Sequence, residues 1–198
     1  MLVVVTGPSG CGKSTILRHV FKDIRRVRFS VSHTTRPRRP SEQDGREYHF
    51  VAKEEFERMI ARDRFLEWAE VHGHFYGTAK SEVAAKGKGA DVILDIDVQG
   101  ARQVRDRRPD AVFVFIMPPR ASELRRRLKE RSEDPPEVIR RRLRNAKAEV
   151  REVGLFDYVV INDRLDRAVL ELEAIILGAR CRTDHRMAEL RPILATFE

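Results

Sequence analysis

The run Gly7-Pro8-Ser9-Gly10-Cys11-Gly12-Lys13-Ser14 brings together the residue types that grip phosphate. It fits G-x-x-x-x-G-K-[ST] at every position. Glycines let successive backbone N–H groups turn toward one point, where phosphate oxygens can accept them. A helix opening at Lys13 adds the positive end of its dipole. The Lys13 ammonium reaches β- and γ-phosphates, and the Ser14 hydroxyl is a ligand for Mg²⁺. Gly7 to Ser14, continued into Thr15, is the expected triphosphate site. A second chemical feature is Asp95 with Asp97, at the end of an apolar run. Two residues apart on a strand, they share one face. They read either as carboxylates near a metal and phosphates, or as a solvated strand end and the N-cap of a following helix. A third is Arg36, Arg38 and Arg39, set between Pro37 and Pro40: guanidinium forks suit phosphate, and prolines stiffen the loop that carries them.

The elements that must position these groups follow from hydrophobic spacing. Leu2 to Thr6 is a short β-branched run ending at Gly7, and reads as a buried parallel strand. Ile16, Leu17, Val20, Phe21 and Ile24 recur at helical spacing, predicting a helix from Lys13 to Ile24. Asp91–Asp97, Ala111–Met117 and Tyr158–Ile161 predict further core strands, followed by helices at Val98–Arg105, Ser122–Arg131 and Leu165–Leu177. Glu137–Val153 predicts a long basic helix after the Asp134-Pro135-Pro136 break. Between Val27–Ser32 and Asp91 lies a smaller mixed region. It has a proline- and arginine-rich loop over 34–45, strands at Glu47–Val51, Phe65–Val71 and His74–Tyr76, and helices at Lys53–Arg62 and Lys80–Lys86. The tail from Gly178 to Glu198 reads equally as helix or loose chain. Strands alternating with helices predict a parallel α/β sheet covered on both faces.

The chain has 198 residues, 41% hydrophobic and 35% charged, which predicts one soluble globular domain. The formal charge of +8 favours an anionic partner: nucleotide, nucleic acid or membrane surface. The two cysteines, Cys11 and Cys181, lie far apart and show no metal spacing, which fits a reducing compartment. Met1-Leu2 runs straight into Val3-Val4-Val5, leaving no room for a leader peptide. No apolar run approaches the roughly 18 residues that span a bilayer. A cytoplasmic protein without a membrane partner is expected.

With the phosphate loop, the segments SVSHTTRPRRP, DGREYHF, FLEWAEV, GHFYGT and DVILDIDVQGA follow one another in an order that resembles the guanylate kinases. The resemblance spans Leu2 to about Leu177. It implies a three-layer P-loop kinase fold with a core (1–31, 86–121, 155–180), a small mixed α/β GMP-binding region (32–85), a helical lid (122–154) and a tail (181–198). It also implies transfer of the γ-phosphoryl group of MgATP to GMP. On that resemblance Arg36, Arg39, Tyr48 and Tyr76 hold the GMP phosphate. Glu67 accepts guanine N1–H and the N2 amine, and Ser32 and Thr78 help read the base edge. Asp95 and Asp97 stand between the Mg²⁺ shell and GMP, with Asp95 and Ser14 nearest the metal. Arg127, Arg131 and Arg142 are lid arginines that act with Lys13, Arg36 and Arg39 on the transferred phosphoryl group. Asn162, beside Asp163, lies near adenine. The base chemistry agrees: guanine offers two adjacent donors where adenine has none at N1, and a carboxylate is the matching acceptor.

Two positions depart from the family. Cys11 stands where alanine is common; at a helix N-terminus its thiol is expected to have a lowered pKa and to be oxidant-sensitive. Ser132 stands where glycine is usual, and with Asp134-Pro135-Pro136 bears on lid geometry. The competing readings are a non-catalytic phosphopeptide-binding module of the same fold, which the intact Gly12-Lys13-Ser14 disfavours, and a sugar-phosphate kinase, which Ser32, Glu67 and Thr78 disfavour. A nucleic-acid-dependent ATPase would explain the charge, but the chain carries no nucleic-acid module. No nucleic-acid partner is expected.

Overall fold

The computed structural model describes residues 1–71, 73–131 and 136–197. The side chain of Arg131, Ser132, the Asp134-Pro135 break and His72 lie outside the described residues. In chain order the elements open with β1 (Leu2–Thr6), α1 (Lys13–Asp23) and β2 (Val27–Phe29). A smaller region follows: β3 (His33–Thr34), β4 (His49–Phe50), α2 (Lys53–Ala61), β5 (Phe65–Val71), β6 (His74–Ala79) and α3 (Lys80–Lys86). The chain then returns through β7 (Asp91–Asp95), α4 (Val98–Arg107) and β8 (Val112–Met117). Two helices, α5 (Ala121–Arg131) and α6 (Pro136–Arg151), precede β9 (Tyr158–Ile161), α7 (Leu165–Arg180) and α8 (Thr183–Leu194).

Among the described residues the strands form two sheets. The core sheet has the order β2-β7-β1-β8-β9, and every pairing in it is parallel. Its central strands β7, β1 and β8 are buried on both faces because helices cover both. Val3 and Val5 of β1 pack with Ile16, Val20, Leu172 and Ile176 of α1 and α7. Leu2 and Val4, pointing the other way, pack with Ala101 and Val104 of α4. One five-residue strand thus feeds two hydrophobic layers through its period of two. This is the expected three-layer arrangement.

The second sheet, β4-β3-β6-β5, is mixed and rests on its own cluster of Phe56, Phe65 and Ala79, flanked by Trp68 and Phe75. Leu124, Leu128 and Ala146 form a further small core between α5 and α6.

Several boundaries differ from expectation: Thr34, expected in the loop, pairs in β3 with β4 and β6, and β4 is only His49–Phe50. β2 stops at Phe29 instead of Ser32, since β7 pairs with only Val27 to Phe29. β6 runs on to Ala79, where cross-strand pairing with β5 outweighs weak local strand propensity. β7 ends at Asp95, and Asp97 has left the strand to cap α4, its Oδ1 accepting the Gly100 N–H at 2.8 Å. The ambiguous tail is helical: α7 continues to Arg180 and α8 follows. Arg180 ends α7 with an ion pair to buried Asp91 (2.6 Å) and a hydrogen bond to the Arg25 carbonyl (2.8 Å). No helix among the described residues is long and apolar enough to cross a membrane.

Candidate functional site

The phosphate loop leaves the carboxyl end of β1, where open parallel sheets bind ligands. Gly7 has φ +150° and Gly12 has φ +102°. A Cβ on Gly7 would lie 2.3 Å from the Ile116 carbonyl oxygen, and one on Gly12 would lie 2.3 Å from Asn162 Nδ2. Both positions therefore exclude a side chain by contact as well as by backbone angle. Asn162, at the end of β9, is buried and donates to the Cys11 carbonyl at 2.7 Å. Arg127 of α5 reaches the same carbonyl at 3.3 Å and the Asn162 carbonyl at 3.0 Å, while Glu123 holds it at 2.7 Å. Arg127 is thus placed against the outer side of the loop.

Inside the loop, Lys13 Nζ donates to the Gly7 carbonyl and lies 3.8 Å from Asp95 Oδ1. Burial disfavours the Lys13 charge, but Asp95 and neighbouring groups outweigh it, so its pKa rises. Burial likewise raises Asp95, opposed by Lys13. Ser14 is exposed on the first turn of α1. Cys11 corrects an expectation: its thiol is fully buried, and burial raises its pKa in spite of Lys13. Desolvation of the thiolate outweighs the helix N-terminus.

A cavity of about 650 Å³ joins this loop to the second sheet and to α6. Gly7, Ser9 and Lys13 line one end, with Asp95 and Asp97 beside them. Ser32, Arg36, Arg39, Tyr48, Glu67 and Tyr76 line the other. Arg142 enters from α6.

The acceptor end is built by β3, β5 and β6. Register sets Glu67 of β5 opposite Thr78 of β6, and Ser32 Oγ lies 3.5 Å from Thr78 Oγ1. Thr78 is fully buried and Glu67 is 3% exposed. Burial pushes the Glu67 carboxyl up to about 7, opposed by hydrogen bonding from Thr78 and assisted by the charge of Asp97. Tyr48 and Tyr76 meet edge to face at 5.7 Å, and the Arg36 guanidinium lies 5.6 Å from the Tyr48 ring. Glu42 organises the loop above them: it pairs with Arg36 at 2.7 Å and accepts the Arg39 N–H at 2.8 Å. That pairing raises the Arg36 pKa and lowers that of Glu42. The Arg39 side chain is exposed at the mouth.

Nearly every residue expected at the site from sequence is brought to this cavity or to the loop that borders it. Arg127 and Asn162 sit behind the loop, and the Arg131 side chain lies outside the described residues. Seven further residues line the cavity: apolar Ala69, Val71 and Ile96, and polar Glu42, His74, Asn145 and Glu149. Arg142, Asn145 and Glu149 are spaced three and four apart on α6, so they share one face. That spacing was readable, but it was hidden among the many charges of α6. Burial raises Glu149, opposed by Lys13 and assisted by Asp97.

A parallel sheet with a phosphate loop at its carboxyl edge, facing a second anion pocket across one cavity, defines a P-loop nucleotide kinase. The family model described as guanylate kinase matches residues 1–179. The chain is 53% identical over 193 residues to the guanylate kinase of Symbiobacterium thermophilum, covering 96% of this chain and 90% of that one. It is 55% identical over 176 residues to that of Dechloromonas aromatica, covering 88% and 87%. The crystal structure of guanylate kinase from Anaplasma phagocytophilum superposes with a TM-score of 0.75 at 31% identity, covering 92% of this chain and 87% of that one. The chain belongs to the guanylate kinase family, the ATP:GMP phosphotransferases.

Proposed function

We propose that this chain transfers the γ-phosphoryl group of MgATP to GMP, and to dGMP, giving ADP and the nucleoside diphosphate, with the residue roles that follow. The observation that carries the reading is the single cavity running from Lys13 to Glu67. It places the phosphate loop and the Arg36–Tyr48–Tyr76 group on one continuous space.

Gly7 to Thr15 bind the donor phosphates through backbone N–H groups and Lys13. Arg36, Arg39, Tyr48 and Tyr76 hold the acceptor phosphate, and Arg36 arrives already oriented by Glu42. The ionised Glu67 accepts N1–H and the N2 amine of guanine, with Ser32 donating to O6 beside Thr78. Adenine would leave that buried carboxylate unpaired, and sites of this kind discriminate by ~10⁴-fold or more. No cavity residue among those assigned here reads the ribose 2′-hydroxyl, which is why dGMP is included.

The donor set fits Mg²⁺. Among the described residues no group of three or more His, Cys, Asp or Glu is gathered to cage a metal. That suits Mg²⁺, which is usually bound by one or two protein oxygens together with waters and substrate phosphates. Ser14 and Asp95 would hold it, Asp95 through water. When bound, the ion neutralises charge shared between the β- and γ-phosphates.

The acceptor is a phosphate oxygen and already a nucleophile, so the protein supplies position and charge. No general base is assigned. Two polyanions must come within bonding distance, and Lys13, Arg36, Arg39 and Arg142 offset their repulsion. Arg127 supports this by holding the back of the loop, and Arg131 completes the lid set. Closure of regions 32–85 and 122–154 over the core (1–31, 86–121, 155–180) excludes the water that would hydrolyse ATP. The protein works in the cytoplasm, on small-molecule nucleotides. An acceptor panel of GMP, dGMP, AMP, UMP and CMP with MgATP, following ADP release, tests the assignment. Turnover confined to GMP and dGMP supports it, and equal turnover of AMP refutes it.

A further inference from the structure

Among the described residues β5 is an outermost strand of the second sheet. An uncovered strand edge leaves N–H and C=O groups without partners, which is costly where water is excluded. Here α4 covers the edge and supplies partners from its side chains. Gln103 Oε1 accepts the Trp68 N–H at 3.2 Å, and its Nε2 donates to the Trp68 carbonyl at 2.7 Å. One carboxamide thus takes both backbone groups of one residue, as a paired residue on a further antiparallel strand would. Four residues on, Arg107 Nη1 donates to the carbonyls of Phe65 and Leu66, each at 2.7 Å. These carbonyls belong to the irregular step in β5–β6 pairing between Phe65 and Glu67, where Leu66 has no partner in register. Bulges bend a strand and re-aim its side chains, so an anchored bulge holds a side chain in one direction. At the start of the helix a Cβ on Gly100 would lie 2.4 Å from Glu67 Oε2.

Gly100, Gln103 and Arg107 are spaced three and four apart, so one helix face meets β5 before, at and after Glu67. The N-cap of the same helix is Asp97, which lines the phosphate end of the cavity. We propose that this face of α4 sets the position of the Glu67 carboxylate, with Gly100, Gln103 and Arg107 as positioning residues for acceptor recognition. The helix then works as a ruler between the base-reading group and the phosphoryl-transfer end. The inference rests on the reading of Glu67 as the group that recognises guanine.

Two substitutions probe it by different routes. Gly100→Ala removes no hydrogen bond and introduces the best helix former, so the fold is retained while the methyl displaces the flexible end of Glu67. Gln103→Leu removes both bonds to Trp68, and Gln103→Glu restores the acceptor for its N–H alone. KM for GMP, KM for ATP, kcat and thermal midpoint are measured beside Glu67→Gln. The expected result is a KM for GMP raised ~10-fold or more in Gly100→Ala and Gln103→Leu, with Gln103→Glu between them and wild type. KM for ATP and kcat at saturating GMP stay within about 2-fold of wild type, the pattern of lost ground-state binding. Unchanged KM for GMP in both variants overturns the proposal. So does a parallel rise in both KM values with a lowered midpoint, which marks a merely structural role. If Glu67→Gln keeps its preference for GMP over AMP, the reading of Glu67 fails and the proposal falls with it. If Glu67→Gln loses that preference while the α4 variants bind GMP normally, only the α4 proposal fails.

Discussion

In its proposed role as the guanine acceptor, the Glu67 carboxyl would make GMP binding pH-dependent in a calculable way. Its shift from 4.5 to about 7 is caused first by burial. At ~1.36 kcal/mol per unit, keeping it ionised in the empty pocket costs about 3 kcal/mol. In the unfolded chain the proton leaves near 4.5, and in the folded chain only near 7. Between these values the folded state holds more protons, so this group's stabilisation is complete below 4.5 and lost as pH rises through 7. GMP acts in the opposite direction, because a protonated acid presents a donor to the donors of guanine. Binding selects the ionised form, so the apparent dissociation constant for GMP at pH 6 is ~10-fold larger than at pH 8, and at pH 5.5 ~30-fold larger. The GMP phosphate also titrates near ~6, so the comparison is between wild type and Glu67→Gln, which retains only the phosphate contribution. Calorimetry at pH 6.5 in two buffers of different ionisation heat should show wild type releasing roughly 0.75 proton more than the variant, following linkage. Parallel pH profiles for the two proteins would refute the reasoning.

Four other outcomes are expected. Lys13→Ala loses ~10²-fold or more in kcat, measured by ADP release, because it removes a cation from the transferring phosphoryl group. Glu42→Gln raises KM for GMP several-fold, roughly the loss of one charge-assisted hydrogen bond to Arg36, with kcat nearly unchanged in steady-state assays. Asn162→Ala leaves the buried Cys11 carbonyl short of a partner and destabilises the fold by about 1–3 kcal/mol in denaturant titration. Thiol titration of the native protein modifies exposed Cys181 quickly and Cys11 only at the unfolding rate, so mild oxidants leave activity intact.

The parts of the fold that repeat a local rule were legible. β1 and its loop follow from an apolar run meeting glycines, and α1 from a 3.6-residue period. β6 was read short, because Gly77 and Thr78 look like a turn until Trp68 and Glu67 pair across from them. Asp97 divides the two readings given to it: it lines the cavity, and it also caps α4. The arginine pattern of α5 was visible, but that Arg127 would bond the carbonyls of Cys11 and Asn162 depends on tertiary packing. Cys11 was misjudged because position predicts a dipole and says nothing about depth. The contact between Glu67 and Gly100 joins residues 33 apart that share no motif, so nothing local announces it.

Lys13 and Arg36 each keep a carboxylate companion in the protein, Asp95 and Glu42. A nucleotide that arrives therefore meets cations already held in place and partly neutralised by resident carboxylates. At Arg36 the companion holds the guanidinium ready, and at both points the shared charge keeps the attraction for a polyanion moderate. Such counterweights suit a catalyst that must let go of highly charged products many times over.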